Sequence, residues 1–376
     1  MEQVYLAPCT EYQYEPLKQA VDDIFNHLQL NRFPFQNANV VIKPNLLMKC
    51  NPHTAIITHP LLVAAVGTKV QELGGKVTIA ESSGGRYTPS TVKNIYQACG
   101  YANMAQQYDF LLNTDCSYRS LKTPTAVRCK EFQVISPILD ADIIIDIGKL
   151  KTHCMTGMSG AVKNMFGVVP GLMKPELHCR FPDTKEFSEM LVDLCEAVRP
   201  HIAIMDAVMG MEGNGPSGGK PRFIGTIVGG SNPYAVDMVC ASMISLKPSD
   251  IFMLASAMER GLCPKTVEEI EILGLPLSDT VISDFLPPQS KSSDFIQYLP
   301  SFLRPLAAKI ATPVPKIRTG KCIGCGKCAE SCPQHTIEIK HKKAYIIYDN
   351  CIRCYCCHEM CPEHIIDIKR LALFNL

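Results

Sequence analysis

Nine of the chain's 19 cysteines fall within residues 322–361, and their order repeats. Cys322, Cys325, Cys328 and Cys332 follow the spacing C-x2-C-x2-C-x3-C and are closed by Pro333. Cys351, Cys354, Cys357 and Cys361 repeat that spacing 29 residues later and are closed by Pro362. The repeat runs past the cysteines, since CPQHTIEIK at 332–340 aligns with CPEHIIDIK at 361–369. An internal duplication takes precedence over any residue-by-residue reading. A chain of 376 residues does not need disulfides to hold a core, so a dense short-range thiol cluster points to metal.

The spacing has a physical reason. Thiolates at i, i+3 and i+6 on a tight loop reach three iron corners of one cubane, and the fourth cysteine, followed by proline, points to the other cluster. Two 4Fe–4S clusters are therefore expected. One is held by Cys322, Cys325, Cys328 and Cys361, the other by Cys351, Cys354, Cys357 and Cys332. Zinc sites usually separate two CxxC pairs by about 12–20 residues and place no third cysteine at i+6. Cys356 is left as a packed or spare thiol. Gly324 and Gly326 let the backbone approach the sulfides. Residues 317–376 resemble the bacterial two-4Fe–4S ferredoxins, which implies low-potential, one-electron carriers. This segment has nine Lys+Arg against six Asp+Glu. Two oxidised clusters bring the balance to about −1, which suits a domain docked on its own protein rather than a diffusing carrier.

Residues 285–316 contain six prolines and read as an extended tether with one short helical piece near 301–311. Before it, residues 1–284 alternate strand-like and helix-like runs. Strands are expected at 40–43, 76–80, 142–147, 201–206, 223–229 and 269–273. Amphipathic helices are expected near 16–29, 60–73, 90–99, 187–198, 233–244 and 250–261. Continuous apolar strands between helices predict an α/β fold, a mostly parallel sheet covered by helices, with a small α+β ferredoxin domain after the tether.

Open α/β sheets bind ligands beyond the carboxyl ends of their strands. The loops there deliver Lys43 and Asn45, His59, the Glu81-Ser82-Ser83-Gly84-Gly85 run, then Lys149, Lys151, His153, Lys163 and Asn164, and finally Asp206, Glu212 and Asn214. If residues 149–153 are extended, Lys149, Lys151 and His153 share one face. Gly213-x-Gly215-x-x-Gly218 matches a dinucleotide fingerprint formally, but a strand rather than a helix follows it, so no helix N-terminus awaits a pyrophosphate.

IKPNL (42–46), ESSGG (81–85), KLKTHCMTGMSGAVKNMFGVVPG (149–171) and DAVMGMEGNGPSGG (206–219) together resemble the family of domain of unknown function 362. That resemblance implies iron–sulfur chemistry and a redox role, without a substrate. The combined reading is an iron–sulfur reductase fed by a redox partner protein. Lys43, Lys149, Lys151 and Lys163, with the N-terminus of the SGAVKN helix, would hold a small anionic substrate. Lys151, His153, His59 or Glu81 would serve the chemistry and its protons. Ser82, Gly84, Gly85, Asn45, Asn164, Asp206, Glu212 and Asn214 would complete the site. The rival is a non-catalytic electron carrier or cluster scaffold whose large domain binds a partner protein. A formal charge of +1 gives no field for nucleic acid, no apolar run is long enough to span a bilayer, and no secretory h-region opens the chain, so a cytoplasmic location is expected.

Overall fold

Strands whose residues are apolar without interruption are buried on both faces, and here they form the middle of a sheet. The computed structural model describes residues 1–288 and 312–369. In chain order its first part runs β1 (Gln3–Pro8), α1 (Tyr14–His27), β2 (Asn39–Pro44), α2 (Pro60–Glu72), β3 (Lys76–Ile79), α3 (Pro89–Ala98), α4 (Tyr101–Tyr108) and β4 (Leu111–Leu112). A hairpin follows, β5 (Tyr118–Lys122) and β6 (Glu131–Ile135), then α5 (Ser136–Leu139), β7 (Ile143–His153), β8 (Gly157–Ser159), α6 (Ala161–Asn164), α7 (Met173–Arg180) and α8 (Thr184–Val198). The last stretch is β9 (Ile202–Glu212), β10 (Lys220–Gly230), α9 (Pro233–Met243), α10 (Phe252–Glu259) and β11 (Glu271–Gly274).

The sheet has nine strands in the order β11-β1-β10-β9-β7-β2-β3-β4, with β8 paired to the end of β7. Pairing is parallel from β9 through β4 and antiparallel where β10 joins β9 and β1. Side-chain alternation explains its two cores. Val40, Ile42, Ile143, Ile145 and Ile147 face α1–α4 on one side, while Val41, Ile144, Ala203 and Met205 face α8–α10 on the other.

Two segments expected as loops are strand. β7 continues past Ile147 to His153 because β8 folds back on it, pairing Lys151 with Ser159 and His153 with Gly157. β9 runs beside it to Glu212, leaving 213–219 as the connection to β10. The N-terminal strand β1, the β5–β6 hairpin and α4 were not anticipated.

The cysteine-rich segment folds as the duplication requires. Each repeat gives a helical turn, Lys327–Glu330 and Cys356–Glu359, then a strand, β13 (Ile337–Lys340) and β15 (Ile366–Lys369). β13 pairs antiparallel with β14 (Lys343–Ile346), and β15 with β12 (Val314–Ile317). Tyr355 and Ile368 join the larger domain's core, so the segment packs directly on the sheet domain. The helical piece expected near 301–311 lies outside the described residues. Among those residues no helix is long and apolar enough to cross a membrane.

Candidate functional site

The eight repeat cysteines gather around two cavities. Cys322, Cys325, Cys328 and Cys361 surround one, with Ile317, Ile323, Ala344, Ile365 and Ile366. Cys332, Cys351, Cys354 and Cys357 surround the other, with Ile337, Ile346, Ile352 and Tyr355. Each group takes its fourth sulfur from the opposite repeat. Backbone amides approach the sulfurs as thiolates require: Gly324 N and Ala344 N lie 3.4 Å from Cys322 Sγ, and Thr336 N lies 3.4 Å from Cys332 Sγ. Apolar walls, four sulfurs and donated N–H groups fit 4Fe–4S clusters. Gly324 and Gly326 have φ of 70° and 77°, and their repeat equivalents Arg353 and Tyr355 take 55° and 62°. The loop therefore demands left-handed backbone at both positions, and the second repeat adopts it with side chains that tie down, Arg353 to Thr312 O and Tyr355 to Pro313 O.

A third cavity, of about 90 Å³, lies where the cysteine segment meets the sheet domain. Its domain-side wall includes Asn45, Glu81, Ser82, Gly84, Gly85, Lys163, Asn164, Phe166, Lys174 and His178. Its other wall is Ser331, Cys356, Glu359 and Met360, residues within two positions of the repeat cysteines. The segment is clamped there by repeat-equivalent glutamates. Glu330 pairs with Arg86 at 2.8 Å, and Glu359 Oε1 lies 3.1 Å from His153 Nε2. Ser217 Oγ donates to Glu359 O at 2.9 Å, and Met360 packs over Gly84.

Among the described residues, Lys163 has no hydrogen bond or ion pair; its ammonium lies 5.8 Å from the Phe166 ring centre. His178 is buried in a stack with Phe187, and its Nδ1 has no partner. Burial pushes the imidazole down to about 3, leaving it neutral. Lys174 donates to Ser82 O and Val169 O, and burial, with Lys43 and Lys163 nearby, lowers it to about 7 despite Glu81. Glu81 pairs with Lys43, yet burial raises its carboxyl above the ordinary value. Burial alone would raise Glu359 too, but His153 and Lys163 hold it below the usual carboxylate range.

The anticipated residues do not share one crevice. Asn45, Glu81, Ser82, Gly84, Gly85, Lys163 and Asn164 line the cavity. Lys43 sits behind Glu81, and Lys151 donates to Asn45 Oδ1 and Ile56 O behind the same wall. Lys149, Asp206 and His59 belong to a separate buried network. Lys149 pairs with Asp206 at 3.0 Å, both contact Tyr12 Oη, and His59 stacks on Tyr12 and donates its backbone N–H to Asp206. Those charges neutralise each other and leave no cation for a ligand. His153 Nδ1 accepts from Met155 N, and its Nε2 lies against the Glu359 carboxylate at 3.1 Å, so the ring is taken up by the fold. Asn214 O faces His358 Nε2, and Glu212 accepts from Leu286 N, so both serve packing. The N-terminus of α6 is closed as well, because Asp237 accepts from Ala161 N at 2.6 Å and Val162 N at 3.0 Å. Sequence reasoning missed Phe166, Lys174, His178, Ser331, Glu359 and Met360. The repeat register offered one signal, since it pairs Glu359 with Glu330.

Comparison with known proteins places these observations. A family model described as domain of unknown function (DUF362) matches residues 40–242, and a 4Fe–4S dicluster domain model matches 321–365. A thylakoid-associated protein of Synechocystis is 34% identical over 241 residues, which is 64% of this chain and 72% of that protein. The structure of the lactate racemase apoprotein from Thermoanaerobacterium thermosaccharolyticum aligns at a TM-score of 0.40 and 14% identity, over 64% of this chain and 57% of that one. The chain belongs to the DUF362 family and carries a 4Fe–4S dicluster domain.

Proposed function

We propose that the protein is a cytoplasmic reductase with two 4Fe–4S clusters, and that its small anionic substrate occupies the cavity between the sheet domain and the cluster segment. One observation carries this reading: a single cavity takes one wall from Lys163, Lys174 and His178 and the other from residues within two positions of the repeat cysteines. The clusters supply single electrons at low potential. Lys163 anchors the anionic group, because its ammonium is the cation at this cavity with no hydrogen bond or ion pair among the described residues. Leu46, Phe166, Pro175 and Met360 shape an apolar slot that excludes water from the rest of the molecule. His178, neutral and unpartnered at Nδ1, orients a polar substrate oxygen. Lys174, lowered to about 7, and Glu81, raised by burial above the ordinary carboxyl value, are the proton-holding groups of the same wall. A pure electron carrier has no need of a cavity whose wall holds an unpaired lysine and an unpartnered histidine.

Anaerobically purified protein should release a small anion identifiable by mass spectrometry, and Lys163→Gln should carry at least about tenfold less of it with the cluster absorption unchanged. Equal amounts from both proteins would rule out this site.

A further inference from the structure

The cluster segment has two unlike faces. Cys356, Glu359 and Met360 turn toward the sheet domain, where they wall the cavity. Outside that wall lies Cys325, the exposed member of the eight repeat cysteines; the other seven are buried or half-buried. Beside it Ile323 is 59% exposed. Lysines crowd this edge. The backbone of Lys342 lies against Gly324, where a Cβ would come within 2.5 Å of the Lys342 carbonyl oxygen. Lys343 Nζ donates to Cys322 O at 2.6 Å. Lys321 precedes Cys322 in the chain, and Lys327 precedes Cys328. Lys327 is paired with Glu330, but Lys321 and Lys342 are exposed and have no ion pair among the described residues. Acids are present too, Glu330 paired with Lys327 and Glu363 beside the same cysteine cavity.

An exposed ligand sulfur and an apolar contact inside a cationic rim match what a brief redox encounter needs. Close approach comes from the uncovered centre, and orientation comes from long-range charge. We propose that this face is the docking surface for an acidic one-electron carrier protein. Electrons then enter at the Cys325 side and leave toward the Cys356 side. The proposal rests on the cluster assignment and is independent of what fills the cavity. In the electron-transfer step, the reduced carrier gives up one electron and one oxidised cluster takes it, with no bond made or broken.

The test uses the full holoprotein and a reduced acidic flavodoxin. Stopped-flow reduction of the wild type should slow steeply with added salt. The Lys321→Glu/Lys342→Glu double variant should react at least about tenfold more slowly at low ionic strength and lose the salt dependence. Its reduction by dithionite should be unchanged, and titration calorimetry should show correspondingly weaker flavodoxin binding. Equal flavodoxin rates and affinities in the two proteins would overturn the proposal. So would a variant that loses binding to phosphatidylglycerol vesicles while its flavodoxin kinetics stay intact, since the patch would then be a membrane contact.

Discussion

Lys151 and Lys174 are lysines that titrate near neutrality. Burial lowers each to about 7, and neighbouring ammoniums, Lys163 for the first and Lys43 and Lys163 for the second, push the same way. The unfolded chain keeps both protonated to about 10.4, so between about pH 7 and 10 it binds protons that the fold refuses. The contribution of these two groups to stability therefore rises with pH across that window and is flat below it. Carbon-13 NMR of ε-labelled lysines should show two resonances with midpoints near pH 7. Midpoints above 10 for both would mean that the ammoniums are not desolvated as described. Lys163 is the other decisive residue, and its substitution is expected to remove ligand rather than stability.

At the scale of elements, α6 depends on α9. Asp237 accepts from two amides at the start of α6 while fully buried, and burial raises its carboxyl to about 7. Asp237→Ala should cost about 2–4 kcal/mol, because two buried N–H groups lose a shared acceptor. It should also shift Lys163 and Asn164, which a denaturant series combined with the ligand assay would detect. Destabilisation without any loss of ligand would separate α6 from the site. The central strands were legible in the sequence because β2 and β7 are apolar on both faces, which only a covered parallel sheet explains. β1 was not, since it pairs with β10 more than 200 residues away. The extension of β7 through Lys149, Lys151 and His153 was hidden for a related reason. Strand burial of those groups depends on Asp206, Asn45 and Glu359, and no local pattern announces partners so distant in sequence. The two groups of cysteines were readable because their spacing is local, whereas His178 and Lys174 sit in α7 with no spacing signal at all.

Over the whole molecule, the cavity exists only while the cluster segment stays docked. Gly218 marks one close approach: a Cβ there would lie 2.5 Å from His358 Cε1, and His358 is held between Ile366 O and Asn214 O. Gly218→Ala should displace that ring at a cost of about 1–3 kcal/mol. Hydrogen exchange across 355–369 should then accelerate by about tenfold or more while β7 keeps its protection. Uniform acceleration throughout the chain would indicate general destabilisation instead. The near-neutral charge of the segment, read in the sequence as a sign of internal docking, corresponds to a face pinned by Glu330 and Glu359 and an outer edge rich in lysine. Everything above the level of the fold depends on two clusters sharing ligands across the duplication. The direct measurement is iron and acid-labile sulfide per chain after anaerobic purification. The account predicts about eight of each, and about four of each would contradict it.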